Sequence, residues 1–258
     1  MSGIPAWTEA GEASRALVFL HGIGGNRASF EWQLPAFAES WRAIAWDMPG
    51  YGETPLEDEM TWSSLVAALL RLLDHLGIER ATVVGHSMGG MVAQALAIDH
   101  ADRVEALVLS ATSAAFGSAD GSFQERFLAE RLAPLDKGLT PADLAPDVMP
   151  GMFKDFATEA AIGRAVASMS AIPSETYRAA LHCLVSFDRR DEIGAISCPT
   201  LVLAAEKDDT APPKGMQRMA EKIPGARYHC IAGAGHLANL ERPDAFNAAI
   251  GDFLDGLA

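Results

Sequence analysis

The sequence contains few cysteines, and they form no recognisable motif. Cys183, Cys198 and Cys230 are odd in number and widely spaced. The spacing includes no CxxC pair and no Cys/His cluster of the kind that binds zinc, so we predict no metal and no cofactor. Cysteines in this pattern are typical of buried free thiols in a reducing compartment.

Positive charge and long apolar runs are also scarce. Lysine and arginine total 20 against 34 aspartates and glutamates, which gives a net charge of −14. Nucleic acids and anionic membrane surfaces attract basic patches, so we predict neither as a partner. No apolar run approaches the roughly 20 residues of a membrane span, and residues 1–15 lack the apolar core of a signal peptide. We therefore expect a cytoplasmic protein, and nothing in the sequence predicts an oligomer.

What the sequence does contain is a regular alternation of strand-like and helix-like segments. The alternation predicts a mostly parallel, doubly wound α/β sheet. A length of 258 residues and a hydrophobic content of 49% suit a single domain over residues 1–258. The predicted strands cover residues 16–20, 43–46, 81–84, 104–109, 201–205 and 227–231. The predicted helices cover residues 61–76, 91 to about 100, and 243–257.

The alternation is interrupted between residues 114 and 193. This segment contains five prolines and short helical patterns, at residues 124–132 and 158–169, but no apolar run of the core-strand type. A loop of about 80 residues without structure of its own would be unusual in a compact domain. We therefore predict that residues 114–193 form an inserted helical cap over the carboxyl ends of the strands.

The most informative motif is Gly85-His86-Ser87-Met88-Gly89, which lies between a predicted strand and a predicted helix. Gly-x-Ser-x-Gly in this context is the signature of a nucleophile elbow, a turn so tight that only glycine fits two residues before and after the serine. The motif predicts that Ser87 is a nucleophile at the N-terminus of a helix, where developing negative charge is favoured.

A serine nucleophile requires a base and a carboxylate that orients the base. Of the seven histidines, His236 is the best placed, in a glycine-containing loop between the last predicted strand and the last helix. The acid should follow an earlier strand, and Glu206-Lys207-Asp208-Asp209 follows the strand at 201–205. We choose Asp208, with Asp209 as the close alternative.

An oxyanion hole is the fourth requirement of this chemistry. The backbone N–H of Met88, directly after the nucleophile, is one expected donor, and that of Ile23 is the other. Ile23 lies in the segment His21-Gly22-Ile23-Gly24-Gly25, which follows a predicted strand and is rich enough in glycine to approach a substrate closely. No Gly-Lys-Ser/Thr follows, which argues against a phosphate-binding loop.

The chain resembles the α/β-hydrolase superfamily over nearly its full length. The matching segments are residues 21–25, 47–52 (Asp-Met-Pro-Gly-Tyr-Gly), 85–90, Asp208 with Pro212, and Gly235-His236. Within the superfamily the chain is most similar to the 3-oxoadipate enol-lactonase and carboxylesterase group. The resemblance implies an eight-stranded type of sheet with a helical cap, although the short segment before residue 15 suggests that the first strands are truncated.

The resemblance implies a hydrolase that cleaves a carboxylic ester or lactone through an acyl-enzyme. One alternative is a hydrolase of C–C bonds in ring-cleavage products, which uses the same three residues. Another, of a different class, is a hydrolase-like receptor or signalling protein with slow turnover. The cap should determine the substrate, and the candidate pocket residues are Phe116, Met149, Phe153, Tyr177, His182, Phe187 and Arg189. Arg189 or Arg190 is a candidate partner for a substrate carboxylate, which an enol-lactone would require.

Overall fold

One seven-stranded sheet forms the centre of the described structure. The structure is a computed structural model that describes residues 3–56 and 59–257. Its strands lie in the order β1-β3-β2-β4-β5-β6-β7; only β1 and β3 pair antiparallel, and the other neighbours are parallel. The strands are β1 Trp7–Ala10, β2 Ala16–Leu20, β3 Arg42–Trp46, β4 Ala81–His86, β5 Val104–Ser110, β6 Thr200–Ala205 and β7 Arg227–Ile231.

Burial explains which strands the sequence pattern found and which it missed. Strands β2, β4 and β6 are buried at every position, because helices cover both faces, and such strands appear as continuous apolar runs. The edge strand β1 has only partly buried and exposed residues, so it carries no such signal and was not predicted. With β1 as the only strand before β2, the described sheet has seven strands rather than eight.

Helices cover both faces of the sheet and form two cores. Phe37 and Phe253 pack in one core with Phe19 of β2, whereas Leu69 and Val92 pack in the other with Val18 of the same strand. The fold is therefore the doubly wound sheet that the alternation predicts. The helices are α1 Leu34–Phe37, α2 Trp62–His75, α3 Met88–Asp99, α4 Ser122–Asp136, α5 Pro141–Val148, α6 Glu159–Ser170, α7 Ser174–Val185, α8 Pro213–Lys222, α9 Ala238–Glu241 and α10 Pro243–Asp255.

Helix α2 shows how local sequence determines a helix. Thr61 and Ser64 form a reciprocal capping box at its start, each side chain accepting from the other residue's backbone N–H. Leucines at three- and four-residue spacing form its buried face. Gly77 follows the helix with a φ of 69°, a conformation that favours glycine.

The cap consists of helices α4 to α7 between β5 and β6, so its predicted helical character is confirmed. Its two ends meet above the sheet. The Phe116 N–H donates to the Phe187 carbonyl at 2.9 Å, and the Arg189 N–H donates to the Ala114 carbonyl at 2.7 Å. The inserted segment thus leaves and re-enters the core at one place, which lets it fold over the sheet without disturbing the strand order. The boundaries 114–193 stay a prediction.

Among the residues described, no helix combines the length and the apolar character that crossing a membrane requires.

Candidate active site

The segment after β4 forms the tight turn that the glycine spacing predicts. Ser87 has φ 53° and ψ −118°, a left-handed conformation that is strained for any residue other than glycine. A Cβ at Gly85 would lie 2.5 Å from the Gly89 carbonyl oxygen, and a Cβ at Gly89 would overlap the Leu20 carbonyl oxygen. A side chain at Gly85 would push α3 away from β4, and one at Gly89 would push α3 away from the end of β2. The two glycines are therefore required by close backbone contact.

Three side chains that are distant in sequence form one hydrogen-bond relay. The Ser87 hydroxyl donates to His236 Nε2 at 3.1 Å, and His236 Nδ1–H donates to Asp208 Oδ2 at 2.8 Å. His236 and Asp208 are both buried. We use the name relay below for Ser87, His236 and Asp208. Geometry of this kind allows the imidazole to accept the hydroxyl proton while the carboxylate stabilises the resulting cation.

The structure distinguishes Asp208 from its neighbour. Burial disfavours the Asp208 carboxylate, but hydrogen bonding and attraction to His236, together with the N–H groups of Ala211 and Thr210, outweigh it and hold the pKa of Asp208 below its ordinary value. Asp209 instead pairs with Lys154 at 2.8 Å, and its side chain is 87% exposed. The acid of the relay is therefore Asp208, which stays ionised.

Two further histidines lie beside the relay and have structural partners. His86 Nε2–H donates to the His236 carbonyl at 2.9 Å, and burial, with the proximity of His236, lowers the pKa of His86 to about 3. His21 accepts from the Met48 N–H at 3.0 Å and donates to the Gly22 carbonyl at 2.8 Å. Burial lowers the pKa of His21 as well. Both rings are therefore neutral, and each supports a loop that carries a site residue.

The two predicted oxyanion donors lie near Ser87, because Ile23 lines the same cavity and Met88 directly follows Ser87 at the start of α3. In the described residues, neither the Ile23 N–H nor the Met88 N–H has a hydrogen-bond acceptor. The Tyr51 hydroxyl donates to the Ile23 carbonyl at 3.1 Å and so holds the peptide that follows Ile23 in this loop. Two unpaired N–H groups beside a nucleophile are suited to hold a developing oxyanion. Their role stays a prediction.

A cavity of about 170 Å³ separates the relay from the cap. Its floor includes Ser87, His236 and the loop at residues 21–25, and its roof comes from α4 to α7. Most lining groups are apolar. An engineered cavity of roughly 150 Å³ holds one benzene molecule, so this space suits a small substrate. The apolar cap residues that line it are Phe116, Phe127, Val148, Met149, Met152, Ala165, Met169, Leu181 and Leu184.

The structure places only part of the predicted pocket around this cavity. Phe116, Met149 and Tyr177 line it. Phe153 and Phe187 do not line it, because both are buried in packing contacts, and the Phe187 ring lies 4.6 Å from that of Trp62. Those two assignments were wrong, since aromatic character alone does not separate a cavity wall from a core.

The two polar candidates in the cap also lie elsewhere. His182 is on the exposed face of α7. Arg189 pairs with Asp99 at 2.7 Å and with Glu192 at 2.5 Å, near the base of the cap. Its guanidinium is therefore satisfied by the protein's own carboxylates. Neither residue lines the cavity, so both were wrong as pocket residues.

A buried carboxylate that sequence reasoning missed joins the cap to the relay. Glu241 accepts from the Lys154 and Phe156 N–H groups, at 2.8 and 3.0 Å, and from the Gly235 N–H at 2.7 Å. Gly235 directly precedes His236, so Glu241 links the cap to the histidine loop. In the sequence it is one acid of 34, and only its partners distinguish it.

No metal site accompanies the relay in the described part of the chain, where no three His, Cys, Asp or Glu side chains are grouped to hold an ion.

Comparison with known proteins agrees with this architecture. A family model described as alpha/beta hydrolase fold matches residues 15–243. The 3-oxoadipate enol-lactonase 2 of Acinetobacter baylyi is 30% identical over 93% of this chain and 89% of its own. The enol-lactonase of Burkholderia xenovorans LB400 has a TM-score of 0.85 at 28% identity, covering 97% of this chain and 96% of that one. A thermophilic esterase of Thermogutta terrifontis has a TM-score of 0.87 at 28% identity, covering 98% and 93%.

The chain therefore belongs to the α/β-hydrolase family, as the motifs predict.

Proposed function

We propose that this protein is a serine hydrolase that cleaves a carboxylic ester or lactone through an acyl-enzyme intermediate. One observation carries the proposal: the Ser87 hydroxyl lies 3.1 Å from an imidazole that is itself held by a buried carboxylate, at the floor of an apolar cavity. The names of the similar proteins, which include enol-lactonases and an esterase, support the same reaction class.

In the acylation step, His236 Nε2 accepts the proton as the Ser87 oxygen attacks the substrate carbonyl. The carbonyl oxygen becomes an oxyanion, which the N–H groups of Met88 and Ile23 are placed to receive. Ser87 also caps the N-terminus of α3, where the helix dipole favours negative charge. His236 then protonates the departing alkoxide, and the acyl group remains on Ser87.

In the deacylation step, His236 accepts a proton from water, and the hydroxide attacks the acyl carbonyl. Collapse of the second oxyanion returns the proton to Ser87 and releases the acid. Asp208 acts in both steps by holding Nδ1–H and stabilising the imidazolium. Its low pKa keeps it negatively charged throughout the neutral range. For a lactone, the alkoxide released in the first step belongs to the same molecule.

The test is a substrate panel of short p-nitrophenyl esters, lactones and ring-cleavage products, measured with the unmodified protein and with Ser87→Ala. We expect multiple turnover on short esters or lactones, and a loss of about 10⁴-fold or more in kcat for Ser87→Ala. Ser63→Ala is the matched control, because Ser63 is an exposed serine on α2. Equal turnover by Ser87→Ala, or turnover of ring-cleavage products alone, would overturn the proposal.

A further inference from the structure

The cavity contains one charged side chain whose role the proposed reaction does not explain. Arg131 of α4 is the only lysine, arginine, aspartate or glutamate among the described residues that line it. The histidines His21 and His86, which also line it, are held neutral by burial. Arg131 is half-buried and the cavity lining is mostly apolar, so its guanidinium is partly desolvated, and desolvation of a charge without a partner is costly.

Arg131 has no such partner within the described chain. No carboxylate forms an ion pair with it, and its one aromatic contact is the Phe127 ring, whose centroid lies 5.5 Å from the guanidinium carbon. Acidic residues outnumber lysines and arginines by 34 to 20, and eight of the 15 arginines pair with a carboxylate among the described residues, whereas Arg131 does not. The arginines with a carboxylate partner are Arg15, Arg27, Arg42, Arg103, Arg164, Arg178, Arg189 and Arg190.

A second unpartnered polar group lies in the same cavity. The chain has three tyrosines. The Tyr51 hydroxyl donates to the Ile23 carbonyl, and the Tyr228 hydroxyl donates to the Pro213 carbonyl. Tyr177 is only 5% exposed and lines the cavity, but no described residue accepts a hydrogen bond from its hydroxyl. The buried phenol is therefore a donor available to a ligand.

Arg131 and Tyr177 line the same cavity from two cap helices that pack against each other, α4 and α7. The positive charge of Arg131 opposes the effect of burial on the pKa of Tyr177. Burial still raises the pKa of Tyr177 above its ordinary value, so the hydroxyl keeps its proton. Among the described residues no carboxylate lines the cavity to compete for either donor.

We propose that Arg131 and Tyr177 form an anion subsite in the roof of the cavity, and that the substrate carries a free carboxylate on the group that enters it. This inference rests on the proposed ester or lactone hydrolysis and specifies its substrate class. A guanidinium binds a carboxylate through two parallel N–H donors, and the tyrosine hydroxyl supplies a third. The subsite also explains why a strongly acidic protein leaves one arginine unpaired at its candidate active site.

The experiment compares two p-nitrophenyl esters of similar length, the glutaric acid half-ester with a free carboxylate and the neutral pentanoate. The readout is the ratio of kcat/KM for the anionic ester to that for the neutral ester. A charge-assisted hydrogen-bond pair is worth about tenfold or more, so we expect Arg131→Gln to lower the ratio by at least about tenfold. Tyr177→Phe should lower it by about three- to tenfold, because it removes one neutral donor. Arg131→Lys should retain part of the preference.

Arg126→Gln is the matched control. Arg126 is on the same helix and also lacks a carboxylate partner among the described residues, but it is exposed and lies over the Phe123 ring outside the cavity. A general effect of charge would lower the ratio equally in both variants and would overturn the subsite. A specific effect lowers it only in Arg131→Gln. Melting temperatures of all variants show whether each is folded.

A binding measurement separates failure of the subsite from failure of the proposed function. Glutarate is titrated calorimetrically into the unmodified protein and into Arg131→Gln. We expect a Kd about tenfold weaker in the variant. Hydrolysis of neutral esters with no Arg131-dependent ratio or binding would refute the subsite alone. Absence of all ester hydrolysis would refute the proposed function, and the glutarate titration would still decide the subsite.

Discussion

The sheet and the cap place their functional groups by different physical means. At the carboxyl ends of the strands, backbone geometry fixes the groups: Ser87 is held at φ 53°, and two glycines allow β2, β4 and α3 to touch. In the cap, side chains on four helices surround a cavity, and polar contacts attach the helices to the core. The proposed catalytic groups, which tolerate little displacement, therefore lie on the rigid part, while the groups proposed to select a substrate lie on the part whose packing is easier to change.

One of the links between the two regions lies directly beside His236. Glu241 accepts two N–H groups from the cap and one from the histidine loop, and Lys207 pairs with Asp155 across the same boundary. The position of the cap and that of the imidazole are therefore coupled. A change in cap packing should affect catalysis through this junction more than through the strands.

The largest effect is expected from the relay on the sheet side. Asp208→Asn keeps the shape of the side chain but removes the negative charge that orients and stabilises the imidazole. We expect kcat to fall by about 10⁴-fold with little change in melting temperature. Asp209→Asn is the matched control, because it removes an exposed acid next in sequence, and it should change kcat less than about twofold. Equal losses in the two variants would contradict the assignment of the acid.

The next effect tests whether the turn at Ser87 depends on backbone contact. In Gly89→Ala the new methyl group would overlap the Leu20 carbonyl, so we expect a loss of about 3 kcal/mol in the free energy of unfolding. Gly163→Ala in the cap helix α6 meets nothing within 4 Å and should instead stabilise by about 0.5–1 kcal/mol. Urea unfolding of both variants measures the contrast. If both substitutions stabilise the protein, the close contact between Gly89 and the Leu20 carbonyl does not require glycine at position 89.

A third prediction concerns Glu241, which joins the cap to the loop that carries His236. Glu241→Gln replaces one carboxylate oxygen, the acceptor either of the Gly235 N–H or of the two cap N–H groups, with an NH2 group that cannot accept. We expect a loss of about 2 kcal/mol in unfolding free energy and about a tenfold loss in kcat, because His236 loses its support. Asp155→Asn breaks an exposed ion pair at the same boundary and should cost less than about 0.5 kcal/mol. A stability loss without any change in kcat would show that Glu241 holds the cap but does not position His236.

The last prediction concerns the dependence of stability on pH, an effect that is small over any single pH unit. His86 has a pKa of about 3 in the folded protein and takes up a proton near its ordinary pKa of 6.5 when unfolded. Because the unfolded state binds the extra proton, stability falls as the pH drops from about 6.5 toward 3, by about 1 kcal/mol for each pH unit.

His86→Gln removes this group, so the stability of the unmodified protein relative to the variant should fall between pH 6.5 and pH 4.5. Urea unfolding at several pH values measures the difference. His21 is present in both proteins, so its own titration cancels. A difference that does not change with pH would refute the assignment of a neutral His86.

Prediction from the sequence succeeded where function or packing depends on a local pattern. Continuous apolar runs marked the buried strands, leucine spacing marked α2, and Gly-x-Ser-x-Gly marked the turn at Ser87. The edge strand β1 was not predicted, because its residues are only partly buried or exposed and do not form an apolar run. Helix α8 was not predicted either, and its few buried residues, Met216, Met219 and Ala220, leave a weak apolar signal in a polar segment.

The sequence predicted the candidate residues at the floor of the cavity well, but it predicted the cap residues that line its roof poorly. Ser87 and His236 are defined by motifs, whereas Asp208 and Asp209 are equivalent as sequence and differ only in burial and partner. In the cap, aromatic and arginine residues are common, so their type did not show which of them face the cavity. Arg189 was chosen and proved to be paired with Asp99, while Arg131, without a carboxylate partner in the described residues, lines the cavity.

The sequence by itself determined the alternation of buried strands with helices and the turn at Ser87, and it identified the candidate nucleophile and base, because these depend on backbone conformations and spacings within a few residues. Only the tertiary structure decided which acid meets His236, which cap side chains surround the cavity, and that Glu241 joins the two regions. Those contacts connect positions that are far apart in the chain, and their selection depends on burial and charge that arise only when the helices pack on the sheet.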